Sequence, residues 1–411
     1  MTINVLVLGT GEYVTGLTHG NEADSDKQLG VIGIVLFDLK KRGLIDEIRL
    51  CGQSGNRFNA IRHHFQANIA DVYQGMDVAF KQYPENHLFD QNIWRKAIDD
   101  LNSGDAVIVA SPDDAHYKMA QYALESKKHV LVVKPLVKSL KQHQSLVDLA
   151  EANQMVLAVE MHKRFDPFYA DAKDRTNHLG QFSHFSSYMS QPKHQLETFK
   201  AWAGKASDIS YYLNSHHIDW LVWALQGRAR PIAVSAMAAT GFATTQLNIP
   251  AEDTITLQVQ WQNIVARTLG TSTHTASWIA SKSDAHSQQR FFYMGHEGEL
   301  QVNQANRGYQ QAIDQGLQSL NPLFMKYTPS NGEFAGQQGY GYLSFEYFIQ
   351  AVLEKKKGIQ SEFAKNQLAL GADTLQVTAI LEAGRLSLDE NKALVKLQYE
   401  NDHSLTPTHL E

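Results

Sequence analysis

His129-Val130-Leu131-Val132-Val133-Lys134-Pro135 is the stretch that decides the fold. Val130, Leu131, Val132 and Val133 form a short apolar run, which reads as a strand buried on both faces of a parallel sheet. Pro135 cannot continue the ladder and fixes the backbone directly after Lys134. A lysine at the carboxyl end of a parallel strand stands where open α/β sheets place their ligands. Alone it reads more readily as a surface lysine capping the strand. A glycine-rich turn at the start of the same domain tips the reading toward a ligand.

That turn follows the first strand, Asn4 to Leu8, and reads Gly9-Thr10-Gly11-Glu12-Tyr13-Val14-Thr15-Gly16. Gly9 permits a tight turn, and Gly11 lets a pyrophosphate approach the backbone and the next helix. Gly9, Thr10, Gly11, Glu12 and Tyr13 are therefore candidate cofactor-binding residues. Val14 stands where the usual third small residue would be, and Gly16 comes two positions late.

Outward from these two stretches, strands and helices alternate. A polar insertion over residues 18–27 precedes a helix over Val31–Lys41, with Gly43 beyond its end. Strands are expected over Glu47–Gly52, Asp105–Ala110 and Met155–Glu160, and helices over Asn59–Phe65 and Lys141–Asn153. Ser111-Pro112 turns the chain into a helix containing His116. The alternation predicts a doubly wound parallel sheet. From about residue 160 the pattern changes. A helix over Pro167–Thr176 is followed by strand-like segments at Ser183–Met189, Ile232–Ala238, Thr254–Trp261, Ala266–Thr271 and Arg290–Met294. Gly295 to Leu300 reads as a hairpin turn, and helices return over Tyr342–Leu353 and Lys365–Leu388. Such strands predict an open, mainly antiparallel sheet. The polar tail from His403 is expected to fray. Two domains follow: residues 1–160, which bind a dinucleotide, and residues 161–400, which bind substrate.

Composition bounds the function. A chain of 411 residues exceeds one ordinary core. A net charge of −6, with no basic patch, argues against nucleic acid. The single cysteine, Cys51, excludes an intrachain disulfide and a cysteine-rich zinc site. No apolar run approaches a membrane span, and the first strand starts too near Met1 to leave room for a leader. A cytoplasmic protein is expected.

A second constellation lies on a helix expected over Ala206–Leu225. Ile218, Leu221, Val222 and Leu225 form its buried stripe. Ser207 or Asp208 can cap its start. Tyr212 and His216, four apart, share a face, and Asp219 lies within reach of the His216 imidazole. His217 faces the core side, beside Leu213 and Leu221. Adjacent histidines invite a metal reading, but neighbours on a helix diverge by about 100°, and no metal is expected.

Together these pieces resemble the Gfo/Idh/MocA family of nicotinamide-dependent sugar oxidoreductases. Gly9/Gly11, Ser111-Pro112, Val133-Lys134-Pro135, Lys163-Arg164-Phe165-Asp166-Pro167, His216-His217-Ile218-Asp219, Gly295–Leu300 and Leu381–Ser387 carry the resemblance. It covers roughly residues 1–395. It implies a Rossmann domain followed by an α/β domain whose open sheet forms the interface of a homodimer or homotetramer. It also implies catalysis by a lysine before proline, an aspartate, and a histidine four residues after that aspartate. Lys134 and His216 match, while Tyr212 replaces the aspartate and Val133 the glutamate before the lysine. A histidine titrates near neutrality and suits the acid/base role. A nearby lysine ammonium can stabilise developing alkoxide charge. Lys134, His216 and Tyr212 are the catalytic candidates, with Lys134 also at the cofactor. His162, Lys163, Tyr211, Asn214 and His217 are candidate substrate contacts, with Trp202 a further candidate, and Ser111, Pro112 and His116 candidate cofactor contacts.

The choice of nicotinamide turns on the end of the second strand. An acidic residue there normally holds the ribose hydroxyls in NAD enzymes. Here Gly52-Gln53-Ser54-Gly55-Asn56-Arg57 stands instead. Ser54, Asn56 and Arg57 would hold a 2′-phosphate, arginine through its planar fork of donors, so NADP is preferred and NAD remains open. The expected activity is hydride transfer at a hydroxyl or keto carbon of a sugar, sugar derivative or cyclic polyol. Two alternatives stay open: a glycosidase or lyase that uses retained nicotinamide for transient oxidation, and a non-catalytic nicotinamide-binding sensor or scaffold.

Overall fold

A computed structural model of the chain describes residues 1–18, 20–22, 29–281, 288–305, 309–314, 316–365, 367–391 and 393–411. It divides into two compact units. One comprises Met1–Leu136, Ser145–Phe165 and Pro322–Gly371, and the other Val137–Gln144, Asp166–Asn321 and Ala372–Glu411. Residues 322–371, which a single boundary near residue 160 would assign to the second domain, thus pack with the first unit.

The first unit is built on a seven-stranded sheet. Its order is Ala369–Leu370, Leu157–Glu160, His129–Val133, Ala106–Val109, Ile3–Leu8, Ile45–Cys51, Lys81–Tyr83. Six strands are parallel and Ala369–Leu370 joins one edge antiparallel. Numbered in chain order, the six parallel strands run 3-2-1-4-5-6, the Rossmann order. Val5, Val7, Val107, Ile108, Val130 and Leu131 are all buried. A sheet with no wettable face must be covered by helices on both sides. Helix Val31–Lys41 is buried from Val31 to Leu39, and Lys40 and Lys41 complement its negative end. The return of residues 322–371 has a visible cause. On helix Tyr340–Lys356, the Tyr342 hydroxyl donates to Asp38 at 2.5 Å and accepts from Arg42 at 2.7 Å. Phe345 and Phe348 of the same helix enter the core with Phe37 and Phe65. Within the expected polar insertion, Leu17–Thr18 pairs with Asn21–Glu22, while residues 19 and 23–28 lie outside the described residues.

The second unit carries an eight-stranded sheet. Its order is Gly298–Asn303, Gln289–Gly295, Phe182–Pro192, Leu269–Ala280, Thr254–Asn263, Ala229–Ala239, Val395–Tyr399, Pro407–Leu410. Only Phe182–Pro192 and Leu269–Ala280 pair in parallel; the other neighbours are antiparallel. Ile255, Leu257, Val259 and Trp261 are buried, whereas Thr256, Gln258, Gln260 and Gln262 between them are accessible. That alternation is the signature of a sheet with one covered face. Helix Leu375–Asp389 approaches the covered face through Gly384, where a Cβ would lie 2.6 Å from Leu257.

Three expectations change. The tail does not fray, because Pro407–Leu410 pairs with Val395–Tyr399. The helix expected over Lys365–Leu388 starts only at Leu375, since Ala369 and Leu370 pair with Val159 and Ala158 at the sheet edge. The strand expected over Ala266–Thr271 begins at Leu269 and runs to Ala280, after a turn with Arg267 at positive φ.

Candidate active site

In the first unit the turn after the first strand is fixed from both sides. Gly9 donates to the Cys51 carbonyl at 2.9 Å, and Ala110 donates to the Leu8 carbonyl at 2.8 Å. This is the point where strand order reverses and open sheets bind ligands. Gly9 has φ of 135°, and a Cβ there would lie 2.1 Å from the Ala110 carbonyl oxygen. Gly11 is different. It precedes the short helix Glu12–Thr15 with φ of −80°, and a Cβ on it would meet nothing within 4 Å. The Thr15 hydroxyl closes the turn on the Thr10 and Gly11 carbonyls.

The close packing normally given by a third small residue is relocated. The Val14 carbonyl oxygen lies 2.5 Å and 2.8 Å from where a Cβ would stand on Gly30 and Gly33. Those two glycines were not legible as partners of the turn, because the insertion separates them from it in sequence.

The loop after the second strand is braced by residues 85–90. Gly55 donates to the Leu88 carbonyl and Asp90 to the Gln53 carbonyl, both at 2.9 Å, and Ser54 bridges to Phe89. Asn56 and Arg57 are exposed beside it. Cys51, at the strand end, is buried, and burial pushes its thiol up to about 12.

Lys134 follows strand His129–Val133 directly, through a cis bond to Pro135. The buried His116 imidazole spans two backbone segments there. Its Nδ1 lies 2.8 Å from the Pro135 carbonyl oxygen and its Nε2 2.8 Å from that of Ser111. The ring therefore ties the Ser111-Pro112 turn to the segment after Lys134. The Ser111 hydroxyl oxygen is buried with no hydrogen-bond partner among the described residues. Beyond the sixth strand, Lys163 and Arg164 are buried. The Lys163 ammonium lies over the Tyr340 ring, 4.8 Å from its centroid. His162 stands beside the Glu160 carboxylate at 3.2 Å.

In the second unit the histidine-bearing helix is Ser215–Ala224, preceded by a π-helical turn over Ser210–Asn214. Such turns are frequent at functional sites, and no residue pattern announced this one. Asp208 caps the segment, accepting from the Ser210 and Tyr211 amides at 2.8 and 3.0 Å. Burial raises the Asp208 carboxyl's pKa, and those amides and Arg385 work against the rise. Tyr211 and Asn214 are both buried. The Tyr211 hydroxyl donates to the Lys138 carbonyl at 3.2 Å, and Asn214 Nδ2 donates to Ser210 Oγ at 3.1 Å. Tyr212 belongs to an aromatic cluster, stacked on Trp278 at 5.3 Å and flanked by Phe199 and Trp202. His216 is buried. His217 is stacked on Tyr169, with Nε2 2.9 Å from that tyrosine's hydroxyl. No group of three or more potential metal ligands occurs among the described residues. No helix among them is long and apolar enough to cross a membrane.

Comparison with known proteins bears on these sites. Residues 3–161 match the Gfo/Idh/MocA family model, described as an oxidoreductase family with an NAD-binding Rossmann fold. The chain is 31% identical over 118 residues to the uncharacterized oxidoreductase YdgJ of Escherichia coli K12, covering 28% of this chain and 34% of that protein. It is 29% identical over 97 residues to scyllo-inositol 2-dehydrogenase (NADP(+)) IolU of Bacillus subtilis, covering 24% and 30%. These alignments span about a third of each relative's length. The crystal structure of scyllo-inositol dehydrogenase from Lactobacillus casei, with bound NAD(H) and scyllo-inositol, superposes with a TM-score of 0.65. That match covers 96% of this chain and 99% of the other at 15% identity, a likeness of fold.

Proposed function

We propose that this chain, whose N-terminal Rossmann domain belongs to the Gfo/Idh/MocA oxidoreductases, transfers hydride at a hydroxyl or keto carbon of a sugar, sugar derivative or cyclic polyol. The observation that carries the reading is the open space beside Gly11, in a turn at the switch point of a sheet whose fifth strand is followed directly by Lys134. The inositol dehydrogenases among its relatives support a ring polyol or a sugar as substrate.

The first unit fits a nicotinamide dinucleotide, which when bound accepts or returns the hydride. Gly11 would admit its pyrophosphate, and Ser111 Oγ offers a buried hydroxyl to it. Ser54 and the exposed Arg57 would hold a 2′-phosphate, which makes NADP the preferred form. His216 takes the substrate's hydroxyl proton and returns it in the reverse direction. The Lys134 ammonium donates to the substrate oxygen and stabilises its developing negative charge. Tyr212, in the place of the family's aspartate, offers a phenolic hydroxyl on a ring held by Trp278. A homodimer or homotetramer formed through the open sheet rests on the family resemblance. The single, buried Cys51 supports a reducing cytoplasm.

Nicotinamide fluorescence during titration with NADPH and NADH, followed by a polyol and sugar panel, tests the reading. His216→Asn is expected to keep NADPH binding and lose about 10²- to 10⁴-fold in turnover. Unchanged turnover in that variant would remove His216 from the acid/base role.

A further inference from the structure

Glu160 ends the sixth strand of the first unit and is 2% exposed. In the parallel pair formed with His129–Val133 it is the register partner of Val133. Register partners on neighbouring parallel strands face the same side of a sheet. Glu160 therefore places its carboxylate on the face that a carboxylate at position 133 would use. The chain resembles a family with a glutamate before the strand-end lysine and has Val133 there. The missing acid is present one strand over.

A carboxylate buried this deeply must be met by donors. Ser344 Oγ donates to it at 3.0 Å. Tyr13, from the dinucleotide turn, lies near it, and burial first and the Glu160 charge second hold that phenol's pKa well above its usual value. The second donor is His162, whose Nδ1 lies 3.2 and 3.4 Å from the two carboxylate oxygens. The imidazole is clamped on its other sides, stacked on Tyr340 at 5.5 Å and edge-on to Phe324 at 5.7 Å. Its side chain is 16% exposed, so the ring stands between the buried carboxylate and the surface. An imidazole that gives Nδ1–H to a carboxylate is held in one tautomer, with Nε2 as the acceptor.

We propose that Glu160 is a positioning residue that holds His162 as its Nδ1–H tautomer and presents Nε2 to a substrate hydroxyl. The identity of that hydroxyl rests on the dehydrogenase reading; the tautomer does not.

The test is ¹⁵N NMR of the full chain with labelled histidine, at a pH where the ring is neutral, with His162→Gln to assign the signals. The expected result is a protonated Nδ1 and an unprotonated Nε2. A wild-type ring carrying its proton on Nε2, the form a free imidazole favours, overturns the proposal. Glu160→Ala, or the near-isosteric Glu160→Gln if the alanine variant does not fold, should move the proton toward Nε2. The same variants should lower kcat about 10- to 100-fold on any substrate the wild type turns over, with KM changing less. An unchanged tautomer in a folded Glu160 variant also overturns it. If the wild type oxidises no polyol or sugar, the dehydrogenase reading fails while the tautomer measurement still decides the role of Glu160.

Discussion

Gly9 and Gly11 lie two residues apart in one turn, yet their substitutions should have opposite effects. At Gly9 a side chain is excluded twice. The φ of 135° is strained for any L residue, and a Cβ would stand 2.1 Å from the Ala110 carbonyl oxygen. The backbone strain alone costs about 1–3 kcal/mol, and the carbonyl belongs to a strand end that cannot withdraw without breaking the sheet. Gly9→Ala should lower the stability of the first unit severely. At Gly11 the φ of −80° and ψ of −175° suit any residue, and a Cβ meets nothing within 4 Å. Gly11→Val should leave stability within about 0.5 kcal/mol of wild type. It should nevertheless occupy the space through which a pyrophosphate approaches the backbone. Losing one hydrogen bond to a charged group costs about 1.5–3 kcal/mol, or roughly 10- to 150-fold in Kd. Thermal melts and NADPH titration by nicotinamide fluorescence separate the two effects. If Gly11→Val binds NADPH as tightly as wild type, no phosphate approaches Gly11. If its melting temperature collapses, the space beside Gly11 is not open.

Two further outcomes follow from the same geometry. Arg57→Ser should weaken NADPH binding by about tenfold or more, from the loss of a charge-assisted contact, and leave NADH within about twofold; equal loss of both would discard the 2′-phosphate role. His274 is buried between Ser187 and Ser272, at 3.2 and 2.9 Å, and burial pushes it down to about 3. The unfolded chain then binds the proton first as pH falls, so stability is complete above about pH 6.5 and is lost through the window down to pH 3. The slope is about 1.4 kcal/mol per pH unit, so roughly 2 kcal/mol is lost at pH 5. Urea unfolding of the second unit at pH 7.5 and pH 5 should show that slope in wild type and not in His274→Gln. An identical slope in both would place the acid sensitivity elsewhere.

The parts of the fold that were legible are those fixed by local pattern. Helix Val31–Lys41 has its expected ends, and the strands at Ile3, Ala106, His129 and Leu157 lie within two residues of the positions their apolar runs indicate. What was missed depends on partners distant in the chain. Ala369 and Leu370 continue a helical period, yet the open edge at Val159 takes them as a strand. Pro407–Leu410 is polar enough to fray, and pairing with Val395–Tyr399 orders it. At the candidate site, the turn of Gly9 and Gly11 and the strand end before Lys134 were legible because glycine and proline mark them. The bond from Ser344 to Glu160 was not, because Ser344 lies far from it in sequence and nothing in a single glutamate announces its neighbours.

The departures from the family pattern argue against a site in decay. Val14 replaces a small residue, and Gly30 and Gly33 restore the close approach to its carbonyl. Val133 replaces a glutamate, and Glu160 stands at the matching register position with donors around it. Tyr212 replaces an aspartate, and its ring is held by Trp278, Trp202 and Phe199 rather than left loose. A protein that kept only its scaffold would gain little from burying a carboxylate at 2% exposure beside a histidine, since even a hydrogen-bonded buried acid is often no more stabilising than an apolar side chain of similar size. Such a burial persists where the group has work to do. In the scaffold reading, Glu160→Leu should raise stability with no loss of NADPH affinity. In the enzyme reading, the same change raises or preserves stability but lowers turnover through His162. Denaturant melts and turnover measurements on that one variant set the two readings against each other.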